Sequence, residues 1–125
     1  METASKILVV DDNHAVRNTV SQMLSHLGYE VASAESGESA LRIFLKNKFD
    51  VVVSDYDMPG MDGVVFACSV KRFSPSTRIV IMTGAGREAV LSKNGAAVDE
   101  VLCKPFTLME IDETIRNVAG MPLCA

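Results

Sequence analysis

Ile7-Leu8-Val9-Val10-Asp11-Asp12-Asn13 is the stretch that decides the fold. Four apolar residues in succession, with no polar alternation, describe a strand buried on both faces. Two carboxylates and an amide then stop it. Beyond them Val16, Val20, Met23, Leu24 and Leu27 fall on one face of a helix, and Gly28 supplies its stop. Apolar run, polar break and helical period make one unit, and the unit occurs five times along the chain.

Working outward, a second and weaker strand is expected over 29–34. Ser36 caps a helix whose apolar face is Ala40, Leu41, Phe44 and Leu45. Val51-Val52-Val53 form the third strand, with Asp55 just past it. Pro59-Gly60 and Asp62-Gly63 break the chain before a third helix carrying Val65, Phe66 and Val70. Pro75 separates that helix from the strand Ile79-Val80-Ile81-Met82, which ends at Thr83. Gly84, Gly86 and Gly95 crowd the fourth helix, confining it to 87–94 and predicting a mobile segment. The fifth strand covers 100–103 and stops at Lys104-Pro105. The last helix opens with the capping box Thr107-x-x-Glu110 and buries Leu108, Ile111, Ile115 and Val118. Such alternation predicts an α/β fold, a doubly wound parallel five-stranded sheet with helices on both faces. Two strand orders are plausible, and the short flavodoxin-like order 2-1-3-4-5 needs only five strands.

The bulk numbers agree. A chain of 125 residues fits one domain, with its core over about 6–119 and a short tail at 120–125. Apolar residues make up 48% of it, which suits a sheet covered on both faces. The net charge is −4, and no basic run offers the phosphate-neutralising patch that direct nucleic-acid binding requires. Cys68, Cys103 and Cys124 are odd in number and lack CxxC spacing. That argues against a disulfide framework or a zinc site and for reduced thiols in a cytoplasmic protein. Cys124 is also misplaced for prenylation. The apolar run of β-type residues before Asp11 is too short for a signal peptide or a membrane span.

Position turns these residues into chemistry. All strand C-terminal ends of a parallel sheet lie on one edge, and open sheets bind ligands there, where the strand order reverses. Strand 1 delivers Asp11 and Asp12, strand 3 Asp55, strand 4 Thr83 and strand 5 Lys104. Singly, Asp12 reads as a helix cap, Thr83 as an ordinary strand end and Lys104 as a solvated charge. Their convergence from four elements argues otherwise. Clustered carboxylates repel unless a cation is present. Asp11, Asp12, Asp55 and Asp57 oppose a single Lys, and Mg²⁺ suits a site with few carboxylates, retained waters and a phosphate oxygen.

The acidic pair Asp11-Asp12, the segment from Asp55-Tyr56-Asp57-Met58-Pro59-Gly60 to Met61-Asp62-Gly63, Thr83-Gly84 and Lys104-Pro105-Phe106 together resemble the receiver domain of bacterial two-component response regulators over nearly the full chain. The resemblance implies that Asp55 is the phosphoacceptor. It implies Mg²⁺ bound by the side chains of Asp12 and Asp55, by Asp11 through a water and by the Asp57 carbonyl. Thr83 and Lys104 would each hold a phosphoryl oxygen, and Lys104-Pro105 would be a cis peptide. Implied partners are a sensor histidine kinase or histidine phosphotransfer protein as donor and a downstream effector protein, with a phosphorylation-dependent dimer as an option. The implied output is a change of the helix 4/strand 5/helix 5 surface. Asp57 and Ala85 fall where the family tunes hydrolysis. One departure stands out: three residues before the strand-5 Lys the family usually has Tyr or Phe, and this chain has Val101.

Two other readings fit parts of the pattern. A haloacid-dehalogenase-like phosphatase also uses an Asp-x-Asp motif, here Asp55-Tyr56-Asp57, but its metal-binding acidic pair follows the Lys, whereas Asp11-Asp12 precede it. A receiver-shaped binding module that is no longer phosphorylated would tolerate Val101.

Overall fold

The computed structural model describes residues 6–120; Cys124 and the end of the expected tail lie outside the described residues. The elements run β1 (Lys6–Val10), α1 (His14–His26), β2 (Glu30–Ala34), α2 (Gly37–Lys46), β3 (Val51–Asp55), α3 (Gly63–Phe73), β4 (Arg78–Thr83), α4 (Arg87–Asn94), a 3₁₀ turn (Gly95–Ala97), β5 (Glu100–Cys103) and α5 (Leu108–Ala119). The strands form one sheet in the order β2-β1-β3-β4-β5, every neighbouring pair parallel. The expected fold is thus the observed one.

The period of two along each strand splits the core into two layers. Leu8, Val10, Val52, Ile79 and Ile81 face Phe44, Phe66, Val70 and Val90 of α2, α3 and α4. Ile7, Val9, Val53, Val80 and Met82 face Val20, Leu24, Ile111, Ile115 and Val118 of α1 and α5. Most of these side chains are fully buried, and each such burial contributes roughly 1.5–3 kcal/mol relative to exposure.

Caps fix where the helices begin. Asn13 Oδ1 accepts the Val16 amide at 3.1 Å, Ser36 Oγ the Ser39 amide at 3.1 Å, and Asp62 Oδ1 the Val65 amide at 2.9 Å. Thr107 and Glu110 form the expected reciprocal box. Each cap contributes about 1 kcal/mol. The cap of α1 is therefore Asn13, which leaves Asp12 for other work.

Three helical faces differ from expectation. Val65 is 52% exposed and Leu45 59% exposed, while Leu108 sits at the rim of the α5 interface. Gly63, Val64, Phe66, Ala67 and Val70 make the buried face of α3. Val64-Val65-Phe66 are apolar in succession, so periodicity alone left the helical phase open; the Asp62 cap sets it. β2 begins at Glu30 rather than Tyr29, and Asp55 is the last residue of β3 rather than the first beyond it.

Candidate functional site

The register of the sheet assembles the site. Val10 pairs with Ser54, so Asp11 and Asp55 leave adjacent strands side by side. Thr83 pairs with Cys103 on the other side of β3, and the Lys104 amide donates to the Thr83 carbonyl at 2.8 Å. The C-terminal edge of the sheet thus carries Asp11, Asp12, Asp55, Thr83 and Lys104 together.

One carboxylate oxygen from each of Asp11, Asp12 and Asp55 lies within 4.8 Å of the other two. Asp11 and Asp55 are buried, whereas Asp12 is exposed at the mouth. Lys104 Nζ donates to Asp55 Oδ1 at 2.8 Å and stands 3.7 Å from Asp11 Oδ2. Lys104 precedes Pro105 across a cis peptide bond, as the resemblance implied.

The electrostatics are unbalanced. Asp11 is 1% exposed; its Oδ1 accepts the Asn13 amide at 2.9 Å, but its buried Oδ2 has no hydrogen-bond partner among the described residues. Burial raises the Asp11 carboxyl above its ordinary value, and the charges of Asp55 and Asp12 push the same way, while the Asn13 amide and Lys104 oppose them. Burial lowers Lys104, but the hydrogen bond it donates to Asp55 and the charges of Asp55 and Asp11 outweigh it and leave the ammonium above its ordinary value. Three carboxylates against one ammonium, one buried oxygen without a donor, and hard oxygen ligands throughout fit a divalent cation.

Thr83 is 2% exposed, and its Oγ1 accepts the Ala85 amide at 2.9 Å, which leaves the hydroxyl proton to donate. Asp57 is exposed in the loop after β3, and its carboxylate is not part of the cluster of three. Val101 is buried in the core layer beneath α2, α3 and α4. His14 is exposed and its Nδ1 lies 3.1 Å from Arg17 Nη2.

Two supporting residues escaped the sequence reading. Arg17 Nη1 donates to the Asp11 carbonyl at 2.8 Å and so holds the start of the acidic loop from α1. Nothing in the sequence marks it, because the contact runs to backbone. At Gly63 a Cβ would collide with the Asp55 carbonyl oxygen and stand 3.0 Å from Tyr56 Cα. Any larger residue would displace the peptide that follows Asp55. In sequence Asp62-Gly63 reads as a breaker and as the end of the segment that carries the resemblance; the structure adds a cap and this close approach.

Beside Lys104 an apolar groove of about 520 Å³ runs between α1 and the segment entering α5, lined by Ala15, Val16, Thr19, Met23, Pro105 and Phe106. Cys68 and Cys103 are not disulfide-bonded. No described helix is long and apolar enough to cross a membrane.

Comparison with known proteins places this geometry. A profile of the response regulator receiver domain matches residues 7–116. The probable chemotaxis protein CheY of Rhizobium etli is 34% identical over 120 residues, 92% of each chain. Sporulation initiation phosphotransferase F of Bacillus subtilis is 33% identical over 114 residues, covering 90% of this chain and 91% of its own. The structure of the response regulator TrrA from Thermotoga maritima, in complex with Mg²⁺-BeF, matches with a TM-score of 0.84 at 32% identity, over 91% of this chain and 98% of that one. Other relatives are longer: the chain spans 46% of a probable transcriptional regulator and 13% of a sensor kinase/phosphatase.

Proposed function

The chain belongs to the response regulator receiver family, and on that premise we propose that Asp55 accepts a phosphoryl group from a phosphohistidine and passes the signal on as a change of surface. The observation that carries this reading is the convergence on Asp55: Lys104 Nζ at 2.8 Å and the carboxylates of Asp11 and Asp12 within one cluster. Receiver domains are signalling switches rather than enzymes of the ordinary kind. The self-catalysed part of the proposal is that this domain speeds its own phosphorylation and its own hydrolysis.

A carboxylate is a weak nucleophile, so the site works by positioning and charge neutralisation. A carboxylate oxygen of Asp55 bonds to phosphorus as the phosphorus–nitrogen bond of the donor breaks, and the imidazole leaves with the electron pair. Asp11, Asp12 and Asp55, with the Asp57 carbonyl, would hold Mg²⁺. Bound there, Mg²⁺ would supply positive charge against the transferring group. Lys104 Nζ, 2.8 Å from Asp55 Oδ1, neutralises a phosphoryl oxygen. The Thr83 hydroxyl exchanges its contact with the Ala85 amide for a phosphoryl oxygen, and this moves the start of α4.

The donor is a sensor histidine kinase or histidine phosphotransfer protein. The groove beside Lys104 gives it an apolar seat next to the acceptor. The effector reads the α4/β5/α5 face, where Leu91, Leu108 and Met109 are exposed and also suit a phosphorylation-dependent dimer. Residues 6–119 act as one receiver unit, and the cytoplasm is the compartment where such donors work. Val101 favours a switch without a swinging aromatic residue.

A labelled phosphohistidine phosphotransfer protein tests the reading. Label should move to the wild-type chain in Mg²⁺, and should stay on the donor in EDTA or with Asp55→Asn. Retention on the donor under every condition would leave a phosphorylation-independent binding module as the account.

A further inference from the structure

The loop between β3 and α3 carries Asp57 and is held at both ends. At its start the Tyr56 amide donates to the Met82 carbonyl at 2.9 Å, and at its end the Gly63 amide donates to the Tyr56 carbonyl at 2.9 Å. Between these points Met58 is buried in the core. The outer half of the loop has a different anchor. Met61 packs over Gly37, the first residue of α2, so closely that a Cβ on Gly37 would stand 2.8 Å from Met61 Sδ, 3.2 Å from its Cβ and 3.3 Å from its Cγ. The next residue, Glu38, reaches the same loop: its Oε2 is 3.5 Å from the Cβ position of Gly60.

Gly is a poor choice for the first turn of a helix on propensity alone, since Ala is better by up to about 1 kcal/mol. What Gly37 supplies instead is the space that Met61 fills. From this contact we propose that Met61, seated on Gly37, is a positioning residue that ties α2 to the β3–α3 loop and sets where the loop presents its backbone to the cation. The inference rests on the metal reading given above and deepens it. α2 lies outside the cluster of carboxylates, so a shift of its first turn alters metal affinity without touching a carboxylate ligand. Backbone carbonyls depend on such supports because, unlike a side chain, they cannot rotate to recover a lost contact.

Calorimetric titration with Mg²⁺ alone, paired with thermal unfolding in EDTA, tests this on the full chain. Wild type, Met61→Ala, Met61→Leu, Gly37→Ala and the double variant Gly37→Ala/Met61→Ala are compared. Met61→Ala should weaken Mg²⁺ binding by about tenfold, the low end for loss of a ligand support. Met61→Leu, which refills the seat, should bind within about twofold of wild type. Gly37→Ala should also weaken Mg²⁺ binding, because its Cβ displaces Met61, while the better helix former keeps the unfolding midpoint in EDTA near that of wild type. The double variant should bind Mg²⁺ no more weakly than Met61→Ala, since the glycine acts only through the methionine. Wild-type Mg²⁺ affinity in both Met61→Ala and Gly37→Ala would overturn the inference and leave the metal site standing. Failure of the wild type itself to bind Mg²⁺ would overturn the metal reading, and the inference with it.

Discussion

Asp11 concentrates the tension in this fold. It is buried, it faces two other carboxylates, and one of its oxygens has no donor. Its raised pKa means that the folded state binds the proton more tightly than the unfolded chain does. The charged form therefore costs stability at neutral pH, and the cost is relieved as pH falls through the raised value toward the ordinary carboxylate value. In EDTA at pH 7, Asp11→Asn should stabilise the protein by about 1 kcal/mol, seen as a higher unfolding midpoint. The advantage should shrink as pH falls through the raised value and be lost below about pH 4, where the wild-type carboxyl is protonated in both states. Added Mg²⁺ should reverse the order, because the wild type gains binding energy that the variant lacks. A variant less stable than wild type in EDTA at pH 7 would contradict this account. At this scale the site was legible in the sequence because strand ends in a parallel sheet share an edge, so Asp11, Asp55, Thr83 and Lys104 could be gathered from four separate runs. Arg17 was not legible, since its partner is a backbone carbonyl and no residue pattern encodes that.

Among the elements, α4 is the weakest. Three glycines bracket a helix of eight residues. Val90 is fully buried, Leu91 is exposed, and the Arg87–Glu100 ion pair at 2.8 Å ties the first turn to β5 from an exposed position where it contributes little. By contrast, α3 buries five residues and α5 opens on a complete capping box. Amides of α4 should exchange with deuterium before those of α1, α3 and α5 in the metal-free protein, read peptide by peptide by mass spectrometry. Protection of α4 equal to that of α3 would remove the basis for a switch at this face. The glycine spacing made α4 legible in advance. The inward faces of α2 and α3 were less so: with Leu41, Phe44 and Leu45 or Val64, Val65 and Phe66 all apolar, periodicity admits two phases. The caps at Ser36 and Asp62 select one of them.

For the whole molecule, the division of labour follows from the sheet. Two apolar layers fix five strands rigidly, and that rigidity holds an unfavourable cluster of like charges at one edge. At the opposite end Asp99, just before β5, ties α3 to β4, accepting Lys71 Nζ at 2.9 Å and the Ile79 amide at 2.8 Å. Fold class was readable because β1, β3 and β4 are mostly apolar runs, and the strand order because the short flavodoxin-like order needs only five strands. The loop geometry over Gly37 and Gly63 was not, because it depends on which atoms approach and not on which residues are present. The phosphoacceptor role proposed for Asp55 rests on this edge. Intact mass after incubation with acetyl phosphate tests it most directly, with and without Mg²⁺, on wild type and Asp55→Asn. Wild type should gain one phosphoryl group in a Mg²⁺-dependent way, labile to hydroxylamine and absent from the variant. No gain on wild type in Mg²⁺, or an equal gain on Asp55→Asn, would contradict it.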